Sequence, residues 1–143
     1  DELDMPLNHI KPHGSLYVMA SKDEEMSRAI ADAVTPFNVS IYGMANTAHE
    51  KIYKEERKLD FVAEFYADLD YDKNGKLVIA KGKNAIYDSN LAVERALRAV
   101  SEKKVKTTSG TDIDVGCDTI CVHSDTPNAV EIITKLKDAL SKK

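Results

Sequence analysis

The sequence predicts an α/β fold built on a parallel sheet. Short apolar runs alternate with helix-period stripes four times along the chain, the pattern of repeated β-α units with right-handed crossovers. Residues able to do chemistry gather just beyond the end of each run. In α/β proteins the crevice outside the carboxyl ends of the strands is where ligands bind.

Each element follows from its own local signal. The first strand, 7–11, is an apolar run ending in Lys11-Pro12-His13-Gly14, with Ser15-Leu16-Tyr17 after it. Ser21 and Glu24 have capping-box spacing for a helix with the stripe Met26, Ala29, Ile30, Ala33 and Phe37, which Pro36 and Asn38 help to end. The second strand is 39–43, and Asn46 is placed to cap a polar helix running to about Arg57. Within that helix His49 and Glu50 read as surface. The third strand, 61–65, leads into a polar loop, 68–76, with Asn74-Gly75 as its turn signal, and 77–80 reads as a short extra strand.

A third helix from Asp88 or Ser89 carries Val93, Ala96, Leu97 and Val100 on one face. Segments 105–108 and 111–115 flank Ser109-Gly110 as a small hairpin. The fourth strand is 118–122. Thr126 is then expected to cap the last helix, with Pro127 in its first turn. Its stripe is Ala129, Ile132, Ile133, Leu136 and Leu140, and its lysine-rich end complements the helix dipole.

The chain has 143 residues, the length of one ordinary domain with a real core, so 1–143 reads as a single domain. A hydrophobic share of 43% and a charged share of 31% belong to a soluble globular protein. The net charge of −4 provides no basic footprint, which argues against nucleic acid as a partner. No apolar run is long enough to span a membrane, and there is no signal-peptide pattern. Cys117 and Cys121 lie on an expected strand, roughly 13 Å apart at about 3.3 Å per residue, too far for a disulfide. A reducing cytoplasmic compartment fits that usage best. The chain opens on Asp1-Glu2-Leu3-Asp4 rather than methionine, which raises the expectation of a fragment or a processed product.

The strand ends deliver a consistent set. The first supplies Lys11 and His13, the second Asn46, the third Glu64 and Asp68, the fourth His123 and Asp125. Parallel strands are expected to bring these to one rim, where imidazoles, a lysine and carboxylates can move protons and hold an anionic substrate. The start of the last helix, Asp125-Thr126-Pro127, is expected to offer free backbone N–H groups to an anion. Tyr17 and Tyr66 flank the signatures and are candidates to line the site, whereas Tyr42 and Tyr53 read as packing.

Two metal-like patterns do not hold up. Residues 70–77 copy the first half of an EF-hand calcium loop, but the twelfth position is Lys81 instead of a bidentate glutamate, and a strand precedes the loop. His9 and His13 have the spacing of a zinc-binding helix but straddle a strand end and Pro12. A metal held by His13, His123 and a carboxylate stays an alternative.

Three motifs in order resemble the LamB/YcsF family, which comprises the A subunit of 5-oxoprolinase and the lactam utilization proteins. They are residues 11–17, Glu64-Phe65-Tyr66-Ala67-Asp68 with Tyr71 and Gly75, and Cys121-Val122-His123-Ser124-Asp125-Thr126-Pro127. The stretch Asn46-Thr47-Ala48-His49-Glu50 resembles the fungal branch. The family usually has arginine where this chain has Leu69, and glycine where it has Ser124. The resemblance covers essentially the whole chain. It implies part of an irregular (β/α) barrel similar to that of polysaccharide deacetylases. A complete barrel of this kind needs about 250 residues, and the family's N-terminal motifs are absent here, so the match is to the C-terminal part.

What the resemblance implies for function is a component of ATP-dependent 5-oxoprolinase, hydrolysing the cyclic amide of 5-oxoproline or a related lactam to the open amino acid. ATP with magnesium would be the cofactor. The partners would be a small lactam substrate and the other subunits or a missing N-terminal half, with a homo-oligomer as a further option. The expected catalytic residues are Lys11, His13, Glu64, Asp68, His123 and Asp125; the expected substrate-binding residues are Gly14, Tyr17, Asn46, Tyr66 and Thr126. Glu64 or Asp68 suits a general base, and His13 or His123 suits proton transfer. Two alternatives stay open: a non-catalytic fragment or accessory subunit needing a partner, and a metal-dependent deacetylase-like hydrolase.

Overall fold

A computed structural model describes residues 5–79 and 88–141. They form α/β structure: β1 (His9–Ile10), α1 (Gly14–Ala20), α2 (Glu24–Val34), β2 (Ser40–Gly43), α3 (Glu50–Glu56), β3 (Phe61–Tyr66), β4 (Asp70–Tyr71), β5 (Leu77–Val78), α4 (Ser89–Glu102), β6 (Lys104–Lys106), β7 (Asp112–Asp114), β8 (Thr119–Cys121) and α5 (Ala129–Leu140). Strands β1, β2, β3 and β8 form a parallel sheet in that order, as the alternating pattern predicts. Of two antiparallel pairs, β6 with β7 is the hairpin expected around Ser109-Gly110, whereas β4 with β5 forms across a stretch expected as a polar loop, since Asp70 and Tyr71 pair with 77–78. Ala80 and Lys81 lie outside the described residues. No helix among the described residues is long and apolar enough to cross a membrane.

Packing divides the chain into two compact units, Asp1–Ala63 and Glu64–Lys143. In the first, β2 pairs with β1 on one side and with the first half of β3 on the other. Its core is Ala31, Val34, Ile41, Ile52 and Tyr53, with Ile10, Ile30, Leu59 and Phe61 packed around it. The helix expected from Ser21 starts at Glu24 as α2, and a separate short helix, α1, precedes it. Ser21 ends α1, its hydroxyl donating to the Val18 carbonyl, and Asp23 caps α2 by accepting the Met26 N–H at 3.0 Å. The buried face of α2 is Ser27, Ala31 and Val34; Ala29, Ala33 and Phe37 are exposed. A hydroxyl side chain reads as surface, but Ser27 is buried because its Oγ donates to the Ala20 carbonyl at 2.7 Å.

The polar helix also departs from expectation. Asn46 has φ 59°, and its N–H donates to Glu50 Oε2 at 2.9 Å. Thr47 caps the helix, accepting the His49 N–H and donating to the Met44 carbonyl. Helix α3 then winds wide, closing with the Arg57 N–H on the Ile52 carbonyl at 2.8 Å, a five-residue reach.

In the second unit the later half of β3 pairs with β8. Asp88 caps α4, accepting from Asn90 and Leu91. Its buried face is Ser89, Ala92, Arg95, Ala96 and Ala99, while Val93, Leu97 and Val100 are half-buried. Helices α4 and α5 pack on each other. Alanines let two helices approach closely, so the contact face follows the small residues rather than the largest apolar ones. On α5 the buried residues are Ala129, Ile132 and Leu136, and Ile133 faces outward.

Candidate active site

The second unit assembles one group of polar side chains from the ends of two adjacent strands. The register pairs Tyr66 with Cys121, and the Ala67 N–H extends the ladder to the Cys121 carbonyl at 3.1 Å. Asp68 and His123 therefore each stand two residues past the same rung. Side chains two apart on a strand share a face, so Glu64, Tyr66 and Asp68 line up on one side with His123 beside them. This is the local reason that Glu64, Tyr66, Asp68 and His123 meet.

Asp68 is fully buried, and its carboxylate is held from three directions. The His123 backbone N–H reaches Oδ2 at 2.6 Å, the Thr126 hydroxyl reaches Oδ2 at 2.8 Å, and His123 Nδ1 lies 3.1 Å from both oxygens. Burial alone pushes the Asp68 carboxyl up, but the hydrogen bonds from His123 and Thr126 outweigh it and hold the group below its ordinary range. An ionised carboxylate only accepts, so His123 Nδ1 donates. The neutral imidazole then carries its proton on Nδ1 and its lone pair on Nε2. His123 is partly exposed, and its ring stacks on Tyr66 with centroids 5.6 Å apart and planes 19° apart. The Tyr66 hydroxyl donates to Glu64 Oε2 at 3.0 Å, and both side chains are buried. A buried carboxylate orienting a partly exposed imidazole is an acid–base pair.

Two expected roles change here. Asp68, expected as a general base, is walled in and serves the histidine. Thr126, expected as the cap of the last helix, gives its hydroxyl to Asp68; Asn128 stands at the N-cap of α5 without a side-chain cap bond. Nor does the Thr126 N–H await an anion: it donates to the His123 carbonyl at 3.2 Å, and Pro127 has no N–H. Asp125 is exposed between them.

The first unit holds Lys11, His13, Gly14, Tyr17 and Asn46. His13 is exposed in extended backbone just before α1, and Gly14 follows at φ 59°, a conformation that suits glycine. Lys11 Nζ lies 5.9 Å from the centroid of the buried Tyr17 ring. Tyr17 meets His49 edge-on at 4.7 Å, and Tyr53 stacks on the same imidazole at 5.1 Å.

His49 corrects the surface reading: it is completely buried. Its Nδ1 accepts the Met44 N–H at 3.2 Å, and burial pushes the imidazole down to about 4, with the Tyr17 backbone opposing weakly. It is a neutral core histidine at neutral pH. His49, Ile52 and Tyr53 stand at i, i+3 and i+4, a one-face signal in the sequence that the polar residues between them obscured. Gly43 is part of the same packing, since a Cβ there would lie 2.9 Å from both His49 Cβ and Phe61 Cε2.

The comparisons with known proteins agree with one another. The model of the LamB/YcsF family matches residues 1–143. The chain belongs to the LamB/YcsF family. It is 39% identical over 142 residues to the 5-oxoprolinase A subunit of Campylobacter jejuni subsp. doylei, covering 97% of this chain and 55% of that protein. With the 5-oxoprolinase A subunit of Oceanobacillus iheyensis the identity is 41% over 137 residues, covering 94% and 53%. The crystal structure of a lactam utilization protein from Thermus thermophilus superposes with a TM-score of 0.85 at 35% identity, covering 99% of this chain and 57% of that one. The chain thus spans about half the length of the curated relatives it matches. LamB/YcsF membership and the α/β architecture are as the motifs and the alternation led one to expect.

Proposed function

We propose that this LamB/YcsF chain is a component of a 5-oxoprolinase and that His123, oriented by Asp68, transfers protons as a cyclic amide is opened. The observation that carries the reading is the buried Asp68 carboxylate held against His123 Nδ1, which leaves Nε2 as the proton-exchanging nitrogen. In this reading Nε2 takes a proton from water as its oxygen attacks the lactam carbonyl carbon. The carbon–nitrogen bond then breaks, and the same proton goes to the departing ring nitrogen. Tyr66 stacks on the imidazole, and Glu64 accepts the Tyr66 hydroxyl. The relatives are named for 5-oxoprolinase and for lactam utilization, which supports the assignment to lactam hydrolysis. They are also named as one subunit of several, which supports assembly with companion chains.

An unactivated cyclic amide resists water, which is the chemical reason to include ATP as co-substrate: its γ-phosphoryl group passes to the lactam oxygen and ADP leaves. Water then adds at the activated carbon as above, and the acyl phosphate that remains after the carbon–nitrogen bond breaks is hydrolysed by a second water to glutamate and phosphate. Among the described residues no three His, Cys, Asp or Glu side chains are grouped to hold a metal ion. The test is release of glutamate from 5-oxoproline with ATP, by this chain alone and with companion subunits. His123→Ala is expected to lower kcat by about 10²- to 10⁴-fold, the usual share of general acid–base catalysis, with folding retained. Unchanged turnover in a folded His123→Ala complex would sink the proposal.

A further inference from the structure

We propose that Arg95 is a positioning residue for this acid–base pair: from α4 it fixes the two residues that follow Asp68 and thereby sets how the Asp68 carboxylate meets His123. The inference rests on the function proposed above. The segment after β3 is tied down residue by residue. Ala67 is bonded to the β8 backbone, and Asp68 to His123 and Thr126. At the far end the Tyr71 carbonyl accepts the Thr108 N–H at 2.9 Å, and the Tyr71 hydroxyl accepts the Tyr66 N–H at 2.9 Å. Between these anchors stands Leu69, the single residue separating Asp68 from β4. Its carbonyl accepts Arg95 Nη2 at 2.7 Å, while Arg95 Nη1 reaches Asp70 Oδ1 at 3.2 Å.

Arg95 is buried, which is costly for a guanidinium unless its donors are used. Both terminal nitrogens are used, and both go to the residues directly after Asp68, while the buried Nε has no partner among the described residues. A planar fork can span a carbonyl and a carboxylate at once; a lysine ammonium delivers a single point of attachment. Asp68 makes its bonds with one carboxylate at the end of a strand, so a shift of the chain at Leu69 would move that carboxylate off Nδ1.

The test is ¹⁵N NMR of the His123 ring, which reports where the imidazole proton sits. It compares the unaltered chain, Arg95→Lys and Asp70→Ala, each with its amide spectrum as a check on folding. In the unaltered chain the neutral ring carries its proton on Nδ1. Arg95→Lys is expected to lose that single tautomer and give the mixed populations of an unrestrained imidazole, and Asp70→Ala, which removes one arm of the clamp, a smaller change in the same direction. A folded Arg95→Lys protein with the unaltered ring spectrum overturns the inference. Should Arg95→Lys fail to fold, an unaltered ring in Asp70→Ala overturns it and a shifted one supports it. If the unaltered chain itself lacks the Nδ1 proton, the proposed function fails instead.

Discussion

Acid should destabilise this protein through His49 well before its carboxylates titrate. The imidazole is fully buried against Tyr17 and Tyr53, and burial takes it from its ordinary 6.5 to about 4. In the unfolded chain the same histidine binds a proton near its ordinary value. As pH falls below that value the unfolded state gains protons that the folded state refuses, so the stability that His49 provides above it drains away until the folded ring titrates. The full difference corresponds to about 3 kcal/mol at ~1.4 kcal/mol per pH unit, and about 2 kcal/mol of it should be lost between pH 7 and pH 5. Urea unfolding at pH 7, 6 and 5 measures this directly. His49→Gln removes the titrating group, so its stability, whatever its level, should fall much less over the same range. Taking the difference between the two proteins cancels the other histidines. Equal pH slopes for the two proteins would refute the burial argument.

Two further outcomes follow from backbone geometry. Gly43→Ala puts a methyl group 2.9 Å from His49 Cβ and Phe61 Cε2, and such overpacking should cost about 1–3 kcal/mol in urea unfolding. Lys58 is exposed at φ 55° after α3; Lys58→Gly relieves the left-handed strain and should raise stability by about 0.5 kcal/mol, whereas Lys58→Val should lower it.

The fold was legible because parallel strands and crossover helices write two different periods into the sequence, and β2, α4 and the hairpin of β6 and β7 follow from ordinary turn and cap residues. What was not legible was the polar share of the buried faces, although the stripe Ala129, Ile132 and Leu136 of α5 was read correctly. Ser27 and Arg95 are polar by type but buried because specific acceptors await them, the Ala20 carbonyl for one, Leu69 and Asp70 for the other. No local pattern encodes an acceptor that lies on another element. The same limit applies to the candidate site. Strand ends pointed to Glu64, Asp68 and His123, yet only coordinates reveal that Asp68 turns inward to hold His123 and that Thr126 joins it rather than capping α5.

The decisive measurement is a double-mutant cycle on turnover of the proposed 5-oxoprolinase complex, with Asp68→Asn, His123→Ala and the two combined. If Asp68 acts only by orienting His123, the double variant should be no slower than His123→Ala alone, because removing the orienter costs nothing once the imidazole is gone. Losses that simply multiply would mean that the two side chains work independently, and the central claim would be wrong.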